Sequence, residues 1–347
     1  MPRLNAKKEP KQEKAGAYFK APASSSSLQR FSSGCALLDN VLGGGWVLGR
    51  MENIIGDKST SKTGLAVEAM ANFARAYPKG WIKYREAEAA FDVDYAVNKL
   101  GLPRARVGFW ADDYDPERHF DTIEDMYEDV QKVLDKAKPG QPGLYIVDSL
   151  DALTDREEQK RKIDQGSYGG NKAKKLGEFF RRLVRPLEEK QVCLMIISQV
   201  RANIGAMFGE KYTRTGGKAM DFYATHCLWL AHLKTLKKTR NKVDRAVGIH
   251  IKAKCKKNKA GRPFREAEFD YMFDYGIDDL GASLAWLHQI GRLKETLGVS
   301  TPDELLKQLG DVSDDDYRGM VSDVSGAVKA LWEEIERDFD PQRKKYA

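Results

Sequence analysis

The chain predicts an α/β fold with a mostly parallel central sheet, and three observations carry that expectation. Short β-rich runs alternate with helical runs through the first half of the chain, which is how βαβ units read. One strand-to-helix joint is a tight polar loop, Gly56-Asp57-Lys58-Ser59-Thr60-Ser61-Lys62-Thr63. From about Gly276 the pattern changes to short helices separated by Gly, Pro and Asp. The expected organisation is therefore a basic arm over 1–30, an α/β core over 31–275 and a small α-rich C-terminal domain over 276–347.

Residues 1–30 are rich in Lys, Ala and Ser without sustained periodicity, which reads as a flexible arm. The pattern becomes globular at Phe31. Strands are expected at Met51–Ile55, Trp81–Tyr84, Val107–Trp110, Leu144–Asp148, Val192–Ser198, Cys227–Ala231, Gly248–Ala253 and Ala267–Tyr271. Helices are expected at Leu65–Tyr77, Asp94–Leu100, Thr122–Lys136 and Ala173–Glu189. The last two strands flank Lys-Asn-Lys-Ala-Gly-Arg-Pro and read as a hairpin added to the sheet edge. In the C-terminal domain, helices are expected at Ser300–Leu309 and Val324–Asp338. Thr301-Pro302-Asp303-Glu304 is a helix start, with Pro in the first turn and acids at the positive end of the dipole.

The 347 residues are enough for a full core and a smaller domain. No apolar run has the length of a membrane span, and Met1–Lys14 has no apolar signal region, so a cytoplasmic protein with no membrane partner is expected. Cys35, Cys193, Cys227 and Cys255 are far apart and argue against a metal or disulfide framework. His226 and His232 lie in or near an apolar run and read as packed side chains. The net charge of +7 is unevenly spread. From His232 to Arg262 there are twelve Lys and Arg against one Asp, a block suited to phosphates, although basic runs also form solvated faces. After Arg265 acids outnumber bases about two to one.

The loop Gly56–Thr63 joins a strand to a helix start, so free N–H groups point at whatever the loop encloses. That is a phosphate-binding loop, in which Lys62 would meet the β- and γ-phosphates and Thr63 would hold Mg²⁺. Ser61 stands where the P-loop pattern asks for Gly. The apolar strand Leu144–Asp148 ends in a carboxylate, Asp148, that can face the same metal. Glu86 and Glu88 follow the strand Trp81–Tyr84; one carboxylate there can align water against a phosphate, or simply sit on the surface before a helix.

With these residues in place, the chain resembles the RecA family of recombinases from Phe31 to about Asp278. Phe31-Ser32-Ser33-Gly34, Leu37-Leu38-Asp39 and Leu42-Gly43-Gly44-Gly45 resemble the family's leading segment, and Gly49-Arg50 precede the P-loop strand as they do there. Glu86-Ala87-Glu88-Ala89-Ala90-Phe91-Asp92 is similar to its D-A-E-H-A-L-D motif. The resemblance makes Glu88 the catalytic base and Asp92 and Tyr95 the adenine contacts. Ser198-Gln199-Val200-Arg201-Ala202-Asn203-Ile204-Gly205-Ala206-Met207-Phe208-Gly209, running on through Arg214 to Thr215-Gly216-Gly217, is similar to the second DNA-binding loop. It implies that Gln199 senses the γ-phosphate, that Phe208 reports between protomers, and that Arg201, Asn203, Ile204, Gly205, Met207, Gly209, Arg214, Gly216 and Gly217 belong to the DNA-gripping segment. The first DNA-binding loop would fall at Ile163–Asn171, with Gly169, Gly170 and the adjoining Lys172. Lys257 and Lys259 match two lysines that reach a neighbouring protomer's ATP.

The resemblance implies an ATP- and Mg²⁺-dependent protein that forms helical filaments on single-stranded DNA, pairs it with double-stranded DNA and exchanges strands, with single-strand-binding protein and loading factors as further partners. A nucleotide-gated mediator without turnover, in which Ser61 blocks hydrolysis, and a hexameric helicase are the alternatives. Several positions depart from the family pattern. Ser61 is shared with variation seen in phage members of the UvsX kind. The first thirty residues lack the family's amphipathic helix, though Tyr18-Phe19-Lys20-Ala21 is similar to a short tether of archaeal and eukaryotic relatives. Asp221 replaces an interfacial Lys, and the C-terminus is basic, so an acidic regulatory segment would have to be Asp314-Asp315-Asp316.

Overall fold

The computed structural model describes residues 28–88, 93–98, 101–102, 121–138, 140–161, 170–202, 212–214, 217–310 and 312–343. The strand expected at Val107–Trp110 and most of the N-terminal arm lie outside these residues.

Five strands form the parallel part of the sheet: β3 (Met51–Gly56), β4 (Trp81–Glu86), β5 (Gly143–Asp148), β6 (Val192–Ala202) and β8 (His226–Arg240). They are preceded by the antiparallel pair β1 (Arg30–Phe31) and β2 (Trp46–Val47), and β7 (Tyr212–Arg214) adds to β6. β9 (Val243–Asn258), β10 (Glu266–Met272) and β11 (Gly276–Ile277) continue the sheet antiparallel from β8. The order is β11-β10-β9-β8-β3-β6-β5-β4. β3 and β5 are buried along their whole length, so they read as apolar runs rather than as alternation.

Helices cover both faces. On one face lie α1 (Ala36–Leu42) and α2 (Lys62–Ala76), the latter burying Leu65, Ala66, Ala69, Met70 and Phe73 at helical spacing. The C-terminal helices α8 (Asp279–Gln289), α10 (Pro302–Leu309) and α11 (Asp314–Asp338) share this core through Leu284, Leu287, Leu305, Val328 and Leu331. On the other face α4 (Ile123–Lys136), α6 (Gly170–Lys190) and α7 (Gly217–Tyr223) pack over Met51, Ile55, Tyr145 and Ile196. Thr122 caps α4 by accepting from Asp125 N, and Glu124 and Asp125 complement the helix dipole. The expected start at Thr301 is confirmed: its hydroxyl accepts from Glu304 N and Pro302 opens α10.

Three expectations need correction. α11 begins ten residues before Val324, because Ser313 caps it and Asp314, Asp315 and Asp316 fill its first turn. The acidic run is thus helical. β8 and β9 are far longer than the apolar segments that announced them, since their outer ends, Lys237–Arg240 and Val243–Ala246, pair only with each other and carry polar residues. His232 is exposed on that extension rather than packed, whereas His226 is fully buried. His226 Nδ1 lies 2.7 Å from Glu52 Oε2 and Nε2 lies 2.8 Å from the Leu42 carbonyl, tying β8 to β3 and to the end of α1.

Candidate functional site

Parallel pairing aligns the carboxyl ends of the strands along one edge, the place where open α/β sheets bind ligands. Gly56 at the end of β3 stands opposite Gln199 on β6 and Leu230 on β8. Glu86 at the end of β4 stands opposite Asp148 on β5. Four sequence segments far apart in the chain therefore converge on the loop between β3 and α2.

That loop is tight. A Cβ on Gly56 would fall 2.4 Å from Thr60 Oγ1, so only glycine fits there. Thr60 Oγ1 and Lys62 Nζ both donate to the Asp57 carbonyl, at 2.8 and 2.7 Å, which curls the loop over the α2 N-terminus. Ser59 and Ser61 both hold positive φ, 58° and 55°. The Lys58 backbone N–H bonds its neighbour's Asp57 carboxylate. Burial lowers the Lys62 ammonium from its usual range, against the opposing pull of Asp148, Glu88, Asp57 and Asp151. A lysine buried among carboxylates at a helix N-terminus is suited to an anion that arrives with its own cation.

The hydroxyl of Thr63 donates to Asp148 Oδ2 at 2.6 Å, and the Tyr84 hydroxyl donates to the same oxygen at 2.5 Å. Burial raises the Asp148 carboxyl from its usual range; Thr63 and Tyr84 counter this, while Glu88 and Glu86 add to it. A buried carboxylate beside a hydroxyl is an oxygen donor set for a hard divalent cation, which would neutralise the charge that burial disfavours. Mg²⁺ fits these residues.

Glu88 lies just beyond β4. Its Oε1 accepts from Gln199 Nε2 at 2.8 Å and from the Ser149 hydroxyl. The Gln199 backbone N–H in turn donates to Asp151 Oδ2 at 2.7 Å. The glutamine at the root of the expected DNA-binding segment is thus in direct contact with the expected base. Tyr95, on α3 (Val93–Asn98), faces Tyr271 with hydroxyls 3.1 Å apart. Tyr271 itself sits where a Cβ on Gly64 would be, at 2.3 Å.

Other expected residues are placed less completely. Arg201 and Arg214 belong to β6 and β7, whose pairing brackets 203–211. Gly170 opens α6, Gly217 opens α7, and Lys172 Nζ donates to the Leu153 carbonyl. Asp92, Gly169, Asn203, Ile204, Gly205, Met207, Phe208, Gly209 and Gly216 lie outside the described residues. Lys257 and Lys259 are away from the P-loop of their own chain: Lys257 Nζ donates to the Asp221 and Phe222 carbonyls, and Lys259 Nζ to Phe222 at 2.7 Å.

The family model for the RecA N-terminal domain matches residues 10–278. The chain belongs to the RecA family. Protein RecA of Nocardioides sp. (strain JS614) is 34% identical over 256 residues, covering 73% of this chain and 67% of that protein. Protein RecA of Synechococcus sp. (strain CC9902) is 31% identical over 270 residues, covering 78% and 66% respectively. Protein RecA of Streptomyces venezuelae is 31% identical over 272 residues, covering 76% and 67%. The match thus spans about two thirds of the length of these RecA relatives.

The site contains side chains that sequence reasoning did not pick out. Tyr84 is one of the inward positions of β4 and looked like ordinary core. Ser149 and Asp151 follow Asp148 directly, and only the turn after β5 reveals that they face Glu88 and Gln199. Tyr271 is a buried strand residue far away in sequence, with no spacing that links it to Tyr95.

Proposed function

We propose that this protein is an ATP-dependent recombinase: it polymerises on single-stranded DNA, pairs that strand with homologous double-stranded DNA and exchanges the strands. The observation that carries the reading is the hydrogen bond from Gln199 to Glu88, because it joins the hydrolytic edge of the sheet to the stem of the DNA-binding segment. Lys62 and the loop Gly56–Thr63 bind the phosphates, and Asp92 and Tyr95 contact the adenine. Thr63 and Asp148 hold Mg²⁺, which supplies charge neutralisation on the phosphates. Glu88 orients the attacking water, and Ser149 and Gln199 fix its carboxylate. A γ-phosphate that draws Gln199 away from Glu88 frees the base and repositions β6, whose extension leads into 203–211. ATP thereby favours the DNA-gripping state through contacts made only in that state. Lys257 and Lys259 serve the nucleotide of the adjoining protomer.

In the same reading the arm over 1–30 and the domain over 276–347 flank the ATPase core, the protein works in the cytoplasm, and single-strand-binding protein and loading factors are its accessory partners. The test is ATP hydrolysis with and without single-stranded DNA. Wild type is expected to be stimulated by DNA. Lys62→Ala abolishes turnover, and Glu88→Gln retains nucleotide binding while losing hydrolysis by at least a hundredfold. Hydrolysis by Glu88→Gln at the wild-type rate would overturn the base assignment. Nucleotide binding without any turnover in wild type would favour the mediator instead.

A further inference from the structure

The turn that follows β5 takes hold of β6 just where that strand leaves the sheet. Ladder pairing between β5 and β6 ends at Val147 and Ile196, whereas pairing between β3 and β6 runs on to Gly56 and Gln199. The edge of β6 that faces β5 has therefore lost its neighbouring strand from Ile197 onward, and its backbone groups need other partners. The turn supplies them. Leu150 N donates to the Ile197 carbonyl at 3.1 Å, and the Gln199 N–H donates to Asp151 Oδ2 at 2.7 Å. Ile197 and Gln199 are two positions apart, so their backbone groups point to the same edge. At Gln199 a side-chain carboxylate thus does what a paired strand does further down.

The same turn also holds the expected base. Ser149 Oγ donates to Glu88 Oε1, and Gln199 Nε2 donates to that same oxygen at 2.8 Å. A closed circuit results. It runs from Glu88 to Ser149, along the turn to Asp151, across to the Gln199 backbone, and back through the Gln199 amide to Glu88. Two donors fill both lone pairs of Glu88 Oε1, so that oxygen cannot accept from water while the circuit is closed. Asp151 is also among the carboxylates whose charge supports the Lys62 ammonium against burial, which places the circuit within electrostatic reach of the P-loop.

The bond at Asp151 decides how firmly the circuit closes. With its backbone pinned, Gln199 has only its side-chain torsions to order when its amide meets Glu88, and linked hydrogen bonds of this kind strengthen one another. A carboxylate on a backbone N–H is about twice as strong an acceptor as a neutral group. Its loss shifts a two-state balance by about tenfold or more. Opening the circuit frees Glu88 and releases the backbone from which β6 goes on toward 203–211.

We propose that Asp151 is a positioning residue that latches Gln199 onto Glu88, restraining both hydrolysis and the grip on DNA until a γ-phosphate takes the glutamine. This rests on the recombinase reading and adds to it the group that sets the restraint. The test compares the full-length wild type with Asp151→Ala and Asp151→Asn. The affinity for a fluorescent single-stranded oligonucleotide is measured without nucleotide, and ATP hydrolysis is measured with and without that oligonucleotide. Weakening the latch enlarges the fraction of protomers able to grip DNA, and apparent affinity rises in proportion. Asp151→Ala should bind the oligonucleotide about tenfold more tightly and hydrolyse ATP about tenfold faster without DNA. Its DNA-saturated rate should stay within about twofold of wild type, because DNA has already opened the latch there. Asp151→Asn keeps an acceptor oxygen for the Gln199 N–H, so both values should rise by only about threefold. A merely structural role for Asp151 would instead lower the affinity and both rates together. That joint loss, unchanged values in Asp151→Ala, or a rise in Asp151→Asn equal to that in Asp151→Ala would each overturn the latch. Should Asp151→Ala fail to fold, Asp151→Asn decides alone: a rise in both values supports the latch, and no rise overturns it. Absence of DNA-stimulated hydrolysis in wild type would overturn the recombinase reading and the latch with it, whereas intact stimulation in wild type with unchanged variants overturns the latch alone.

Discussion

Ser61 gives the sharpest test of how the P-loop is built. Its backbone sits at φ 55°, ψ 35°, in the left-handed region, and its side chain makes no capping hydrogen bond to α2. For a residue with a Cβ this conformation costs about 1–2 kcal/mol. Glycine removes that cost but loses about 0.4–1 kcal/mol more to unfolded-state entropy. Ser61→Gly should therefore stabilise the protein by about 0.5–1 kcal/mol, a rise in melting temperature of roughly 1 °C. Ser61→Ala keeps the strained backbone and loses no bond, so it should stay within about 0.5 kcal/mol of wild type. The assay is urea unfolding without nucleotide, followed by the KM for ATP, which should not rise in Ser61→Gly because the backbone can approach phosphates more closely. A Gly variant less stable than the Ala variant by about 0.4–1 kcal/mol, the entropy difference alone, would show that the backbone strain is not there.

Three further perturbations probe other parts. Tyr84→Phe removes the hydroxyl at 2.5 Å from Asp148; the Mg²⁺ concentration giving half-maximal hydrolysis should rise about tenfold, the worth of a bond to a charged group. His226→Ala removes the imidazole from the fully buried Glu52 and leaves it the backbone N–H groups of Val47 and of position 226, so it should cost about 1.5–3 kcal/mol by urea unfolding; a loss under about 0.5 kcal/mol would contradict the buried contact. Glu68, on α2, accepts from Ile277 N at 3.0 Å, and burial pushes its carboxyl up to about 7. Its native form holds a proton that the unfolded chain releases near the ordinary Glu range, so its contribution is full below about pH 4.5 and is lost as pH rises through about 7. Glu68→Gln keeps the acceptor and should gain stability relative to wild type at pH 8 compared with pH 5; a pH-independent difference would refute this.

The fold was legible wherever one element explained its own pattern. The P-loop strand and helix, the strand ending at Asp148 and the capped start at Thr301 could be read because propensity, capping and burial agree locally. The site was legible in its loop and in Asp148, but Glu88 and Gln199 needed family resemblance, since the strand end beside Glu86 and Glu88 suits a surface acid equally well and Gln199 carries no local signal. Tyr84, Ser149, Asp151 and Tyr271 stayed hidden because their roles arise from strand register, which a linear pattern does not contain. The outer ends of β8 and β9 were visible only as charge. They have no buried face, so the period-two alternation that announces a strand is missing there.

Strand register also bears on why an isolated protomer is incomplete under the recombinase reading. Lys257 pairs with Cys227, near the amino end of β8, whereas the P-loop lies level with Leu230 at the carboxyl edge. Three residues of strand separate the two levels by roughly 10 Å, more than a lysine side chain spans once it is engaged elsewhere. Here Lys257 and Lys259 are engaged, on the carbonyls that end α7. Those carbonyls lack intrahelical partners and carry the negative end of the helix dipole, so they hold cations well. A two-turn helix depends on such end contacts, and α7 begins at Gly217, where the proposed DNA-gripping segment stops. If an adjoining protomer's phosphates draw the two lysines away, α7 gives up its cap in the same event. Assembly, nucleotide contact and the state of the DNA segment would then be changes in one set of hydrogen bonds. Lys257→Ala combined with Lys259→Ala should accordingly lose DNA-stimulated hydrolysis while a monomer still binds nucleotide, and full stimulation in that variant would break the link.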